Sequence, residues 1–462
     1  MNKFFIALVL MTLIGCASAP KLQTIMPEKT SPELLKYEFL TSFLHLPVSI
    51  KIKEVESQIN KFLKDKIYED LNIEDDDIKA TVIKTSEIKV TQINQNIIEI
   101  KLPLKINATY RIGTEKLGIK LYDYKTFDLN GVFTLQSNIK LNNFKLDSST
   151  KIVDISWTES PTMEVLGKKV PITYLINPTL KIFKSKMEKT INEKMNELMD
   201  FKPYVIDALE KLSKPILTHE GYQTWFRFSP LEVYTKEAVI SKEKIDIEMG
   251  LKATLETLIG SEPKQKFDKN AIVFKPVKSM PDKILANVVA VSTYEEASKI
   301  IQKNFGGQTF GDGNNQVTVN KINLWHNKGK VVIALDVVGK VNGVVYLKGV
   351  PKYSAEDTSI YFDDLDFVLD TKNILHKSAA WLLNGKILKM IKEKSRYSIA
   401  PNMDEGKKTM LNYLNNYSPM KGVFINGQLN HLSFENIQIH EKGFVAFLKG
   451  EGQVKIDIDG LE

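Results

Sequence analysis

Six histidines, one cysteine and a few carboxylate clusters are the residues of this 462-residue chain that could do chemistry. His45, His219, His326, His376, His431 and His440 are scattered, and no two stand at the i, i+4 spacing that sets a zinc pair on one helix face. Glu74-Asp75-Asp76-Asp77 would draw a cation, yet it lacks the spaced ligands and turn glycine of a calcium loop and reads as a solvated loop. Phe310-Gly311-Asp312-Gly313-Asn314-Asn315 has no Lys-Ser/Thr after it, so it turns the chain between Phe305 and Val317 rather than cradling phosphate. Asp363, Asp364 and Asp366 invite general acid–base work. However, Asp364 and Asp366 share one strand face, expected to be the wet one, and nothing nearby supplies a nucleophile. No Gly-x-Ser-x-Gly elbow occurs. The inventory predicts no enzyme, no metal and no cofactor.

Cys16 stands apart, as the only cysteine, in Leu13-Ile14-Gly15-Cys16 at the end of an apolar run from Phe4. Lys3 before the run and a small residue before the scission point make a secretory signal, too short to span a bilayer. The Leu-x-Gly-Cys spacing resembles a bacterial lipobox. That resemblance implies a thiol alkylated by diacylglycerol, cleavage before Cys16, and anchorage to a membrane through N-terminal acyl chains such as palmitate. Each buried methylene contributes ~0.8 kcal/mol, so two or three chains hold permanently. Ala17 and Ser18 include no aspartate to retain the chain at an inner membrane. By resemblance to lipoproteins of double-membraned bacteria, the periplasmic face of the outer membrane is the expected address. With no second cysteine, no internal disulfide forms.

Hydrophobic residues at 43% and charged residues at 26% place the chain among folded globular proteins. The formal charge is +7, but only Arg111, Arg227 and Arg396 are arginines and the lysines form no dense block. Base-reading sites lean on arginine, so nucleic acid is not an expected partner.

The chain reads as one unit written twice: signal 1–15, acylated N-terminus and tether 16–44, first unit 45–260, junction 261–283, second unit 284–462. Val48, Ile50 and Ile52 alternate, then Val55, Ile59, Phe62 and Leu63 recur at helical spacing. Ile284 to Val291, followed by Tyr294, Ala297, Ile300 and Ile301, repeats this. Ile100, Leu102, Leu104, Ile106, Ala108, Tyr110 and Ile112 fall on one strand face, with Lys101, Lys105, Asn107, Thr109 and Arg111 on the other; such a strand runs ~43 Å. Val331 to Val350 is the counterpart, turning at Asn342-Gly343, as the first unit is expected to turn at Asn130-Gly131. Each unit then reaches a long amphipathic helix. The first has Asn177 as cap and Pro178 at the first position, with a stripe of Leu180, Phe183, Met187, Ile191, Met195 and Leu198 over ~33 Å. The second carries Leu375, Ala379, Leu382, Ile387 and Met390. A shorter helix and an alternating hairpin close each unit.

The predicted class is therefore α+β: two tandem related halves, each a long twisted antiparallel sheet wrapped on a long amphipathic helix. On Leu46-Pro47-Val48-Ser49-Ile50, Asn177-Pro178-Thr179-Leu180 and the closing hairpins, the chain resembles the tubular lipid-binding superfamily of bactericidal permeability-increasing protein. It is also similar to an uncharacterised family of bacterial lipoproteins, domain of unknown function 4403. The superfamily resemblance implies an apolar groove between helix and sheet that holds the acyl chains of a phospholipid or fatty acid. Its candidate lining is Ile100, Leu102, Leu104 and Ile106 with Phe183, Met187, Ile191 and Met195 in the first half, and Leu375, Trp381, Leu382 and Met390 in the second. Methionine suits adaptable acyl contacts, Trp381 is placed to seal one end, and Trp325 sits near a strand end suited to a membrane interface; ordinary core packing is the default reading for each. Two readings stay open: a lipoprotein that binds or shuttles lipid, or an envelope module with a filled core and a protein partner.

Overall fold

The computed structural model describes residues 24–30, 35–159 apart from 118 and 143, 162–165, 168–171, 184–193, 202–368 and 385–460. The alternating run at Val48 forms β1 (Thr41–Lys51), which passes directly into α1 (Ile52–Phe62). A meander follows: β2 (Lys66–Asp70), β3 (Ile78–Lys84), β4 (Lys89–Gln92), β5 (Ile97–Lys116), β6 (Ile119–Asn142) and β7 (Lys145–Trp157), then a small pair, β8 (Thr162–Val165) and β9 (Lys168–Pro171). Helical residues 184–193 (α2) and α3 (Lys202–Leu212) precede β10 (Ile216–His219), β11 (Thr224–Thr235), β12 (Val239–Ser241) and β13 (Lys244–Ile259). After β14 (Val273–Pro276) the order resumes with β15 (Ile284–Thr293) and α4 (Tyr294–Phe305). A second meander is β16 (Thr309–Asp312), β17 (Asn315–Asn327), β18 (Lys330–Gly339), β19 (Gly343–Ser354) and β20 (Ser359–Phe367). Last come α5 (Lys386–Lys394), β21 (Tyr397–Ser398), α6 (Ala400–Asn412), β22 (Tyr417–Met420), β23 (Val423–Ile439) and β24 (Gly443–Ile458).

A ten-stranded sheet, in the order β10-β11-β13-β1-β15-β24-β23-β22 with β12 and β14 attached, draws strands from both halves. β1 is antiparallel to β13 along its length and parallel to β24 at Val48↔Ile456, while β13 runs parallel to β15 at Leu255↔Val288. Two six-stranded sheets flank it, β2-β3-β5-β6-β7 with β4, and β16 through β21 in sequence order. The main cores lie where each six-stranded sheet is covered by helices and by the shared sheet.

This corrects the expected class. Strand makes up 58% of the described residues and helix 17%, so they are mostly β, and among them no helix exceeds the 13 residues of α6. Strands as long as the 24 residues of β6 bury their apolar faces chiefly against other strands. Among the described residues the helical stripes are represented by α2 and α5, each closing part of a core; Leu180, Phe183, Met195, Leu198, Leu375, Ala379, Trp381 and Leu382 fall outside the described residues.

Two local expectations also change. Asn130-Gly131 is not a turn: both residues lie inside β6, opposite Lys105 and Leu104, and a Cβ on Gly131 would stand 2.9 Å from the Trp157 ring. The face alternation of β5 holds to Ala108 and then breaks, leaving Ile112 42% exposed and Arg111 buried. There the strand runs off the core, and Asp77, Glu74 and the Tyr122 ring enclose the Arg111 guanidinium. Trp325 is buried, the core-packing alternative for this residue. It packs with Val332, Ala334 and Tyr346 on the outer face of β17–β19, under Lys29.

Candidate functional site

An apolar cavity of about 400 Å³ is lined mainly by the second half, with Tyr222 and Ile259 contributed by the first. α4 forms one wall. Its start is fixed by the Thr293 hydroxyl, which accepts from the Glu296 N–H at 3.2 Å, with Glu295 and Glu296 favourably placed in the first turn. That register turns Ala297, Ile300 and Ile301 inward, towards Ile333 and Leu335 of β18 and Phe362 and Leu365 of β20. The end of the ten-stranded sheet supplies Ala290 and Ala446, directly opposed across β15 and β24. Ala290, Ala297 and Ala446 project only a methyl group each, which accounts for unfilled space where three elements meet. The first-half core instead carries the fully buried Phe133, Leu135 and Met187.

Polar groups line only part of this cavity. The Tyr222 hydroxyl donates to Asn304 Oδ1 at 3.4 Å, and the Tyr397 hydroxyl to Asn402 Oδ1 at 3.3 Å. The Lys394 ammonium sits 5.3 Å from the centre of the Phe310 ring. Burial, and then the neighbouring Tyr222, push the Tyr397 phenol above its ordinary pKa, so at neutral pH it is a donor. Among the described residues, no carboxylate, histidine or cysteine lines the space. Such a lining can hold an apolar chain and meet a polar group at one end; it offers no acid–base pair.

The candidate residues are distributed as follows. Ile100, Leu102, Leu104, Ile106, Met187 and Ile191 come together in the first core, all buried. Met390 is half-buried beside the second core, its sulfur accepting from the Gly311 N–H at 3.3 Å. Cys16, Phe183, Met195, Leu375, Trp381 and Leu382 lie outside the described residues. Reading of the sequence did not single out the cavity walls; the signal that could have found the space is the three small side chains, Ala290, Ala297 and Ala446, on three separate elements.

The acidic run lies in the turn between β2 and β3, with Glu74 and Asp75 exposed, as expected of a solvated loop. Asp70, Asp75 and Asp76 bring carboxylate oxygens within 4.8 Å of one another, and the Lys186 ammonium of α2 stands among them at 2.8, 3.3 and 2.8 Å. This lysine occupies the place a cation would take and ties α2 to the loop. Asp363 and Asp364 are exposed and paired with Lys352 and Lys330. In the ten-stranded sheet, Glu256 is fully buried and receives Arg227 Nε and Nη2 at 2.9 and 2.8 Å, together with the Tyr37 hydroxyl.

Comparison with solved structures finds lipopolysaccharide binding protein, at 10% identity over 92% of this chain and 100% of that one, with a TM-score of 0.26. It also finds P47 of Clostridium botulinum E1, at 10% identity over 90% and 99%, with a TM-score of 0.20. Both likenesses are too loose to carry an argument. No curated protein matches the sequence. The model of one family, described as domain of unknown function DUF4403, matches residues 41–458, and the chain belongs to that family.

Proposed function

We propose that this protein is an envelope lipoprotein that takes up an acyl chain in the second-half cavity. The observation that carries the reading is the cavity itself: about 400 Å³ walled mainly by aliphatic and aromatic side chains of α4 and of strands from two sheets. An apolar void leaves its lining without dispersion partners, and a hydrocarbon chain restores them. A methylene fills about the volume of one water, ~30 Å³, so the space takes a chain on the order of a dozen carbons. Burial at ~0.8 kcal/mol per methylene gives ~10 kcal/mol gross, before the cost of association.

The envelope part of the proposal rests on the Cys16 signal, and the structure adds a geometric consequence. Residues 24–30 lie on the second half: the Thr24 hydroxyl donates to Val344 O at 2.7 Å, and Asn327 Nδ2 donates to Glu28 O at 2.8 Å. Eight residue steps from Cys16 to Thr24 span at most ~29 Å. An acylated Cys16 would therefore keep the cavity-bearing half near the bilayer, where a chain could enter from it.

Photolabelling tests the site. A diazirine-bearing acyl chain irradiated with the detergent-free protein is expected to mark peptides of α4, β18 and β20. Labels confined to the exterior or to the first half would overturn the assignment.

A further inference from the structure

We propose that the cavity selects a single-chain amphiphile with an anionic head, a carboxylate or a phosphate monoester, whose head rests against Lys394 and the Tyr222 and Tyr397 hydroxyls. This rests on the acyl-chain reading above and deepens it. The volume favours one chain: a dozen or so carbons fill the cavity, and a two-chain lipid would have to leave its second chain in water.

The charge argument is independent of the volume. Lys394 lines the cavity while remaining exposed, and among the described residues no carboxylate stands within ion-pairing distance of it. Lys303 is a second cation, outside the lining but packed on Tyr222, which is part of it. Its ammonium lies 5.1 Å from the centre of the Tyr222 ring and donates to Gly221 O at 3.2 Å, again with no carboxylate partner among the described residues. Elsewhere on this protein, lysines such as Lys186, Lys275, Lys330 and Lys352 are matched to acids. The two tyrosine hydroxyls hold only long hydrogen bonds, 3.3 and 3.4 Å, and can turn to an anionic oxygen at little cost. A cation and two neutral hydroxyl donors on the lining of one apolar chamber complement an anion joined to a hydrocarbon chain.

The test is displacement of an uncharged pyrenyl alkane from the detergent-free protein by dodecanoate, dodecyl phosphate, dodecanol and dioleoyl phosphatidic acid vesicles. The two single-chain anions are expected to displace the probe at about tenfold lower concentration than the alcohol, the low end for a charge-assisted contact at an exposed group. The tighter of the two names the head. Lys394→Met, an exposed substitution outside any core cluster, should erase that advantage and leave dodecanol unchanged. Equal displacement by acid and alcohol, an advantage that survives in Lys394→Met/Lys303→Met, or stripping of the probe by the two-chain vesicles at the same concentration would each overturn the proposal. Failure of the probe itself to bind would instead bring down the acyl-chain reading on which it rests.

Discussion

Replacing Ala297 by leucine sets an open cavity against a closed core through the sign of a stability change. Ala297 is 8% exposed, on the cavity-facing side of α4, and leucine is nearly as good a helix former as alanine. The change adds three carbons, which at ~30 Å³ each need about 90 Å³, well inside the 400 Å³ present. Each newly buried methylene contributes ~0.8 kcal/mol, an upper bound near 2.4 kcal/mol that side-chain ordering reduces. Engineered cavity filling commonly gains about 0.5–2 kcal/mol, and we expect a gain of about 1–2 kcal/mol here. Urea unfolding of delipidated protein, followed by tryptophan fluorescence, should show a higher midpoint at unchanged slope. The same variant should bind a twelve-carbon chain more weakly than the wild type, since part of its space is taken. In a filled core the same leucine would overpack and cost about 1–3 kcal/mol. A lower midpoint with undiminished chain binding would refute the reasoning.

Other expectations follow from the charged groups. Arg227→Met strands the fully buried Glu256 carboxylate and should cost about 3–5 kcal/mol in chemical denaturation; a loss under 1 kcal/mol would contradict the burial. Burial alone would raise the Glu256 pKa, but Arg227, Tyr37 and Lys266 together hold it below the ordinary carboxylate range. Its contribution is therefore fully present above about pH 4.5 and lost as pH falls through the depressed value. A melting-temperature profile from pH 7 to 3 should fall more steeply for wild type than for Glu256→Gln. Lys186→Met removes the cation shared by Asp70, Asp75 and Asp76 and should loosen α2, read as faster amide exchange at 184–193, with a stability loss of about 1–2 kcal/mol. Cys16→Ser should abolish incorporation of labelled palmitate in a bacterial host, and persistent labelling would locate the acyl group elsewhere.

Periodicity made the strands legible. The alternation of Ile100 to Ala108, and the passage from Val48 into Ile59, each correspond to elements in the structure. It did not reveal where a strand leaves the core, which is why Ile112 and Arg111 exchanged roles: alternation records two faces, not what covers them. Asn130-Gly131 misled because the same dipeptide that favours a turn also supplies, at Gly131, the room Trp157 needs. The cavity was the least legible feature. Only the fold brings the small side chains of Ala290, Ala297 and Ala446 to one cavity, and only the fold adds Lys394 and Tyr397 to its lining. The helical stripes were overweighted because amphipathic periodicity shows which face is buried without fixing how far the helix continues.

The central claim is tested most directly by what the protein carries. A soluble form beginning at Ser18, purified without detergent and extracted with organic solvent, should yield close to one single-chain amphiphile per molecule by mass spectrometry, and less from Ala297→Leu. A lipid-free extract, together with failure to take up added dodecanoate, would contradict the account.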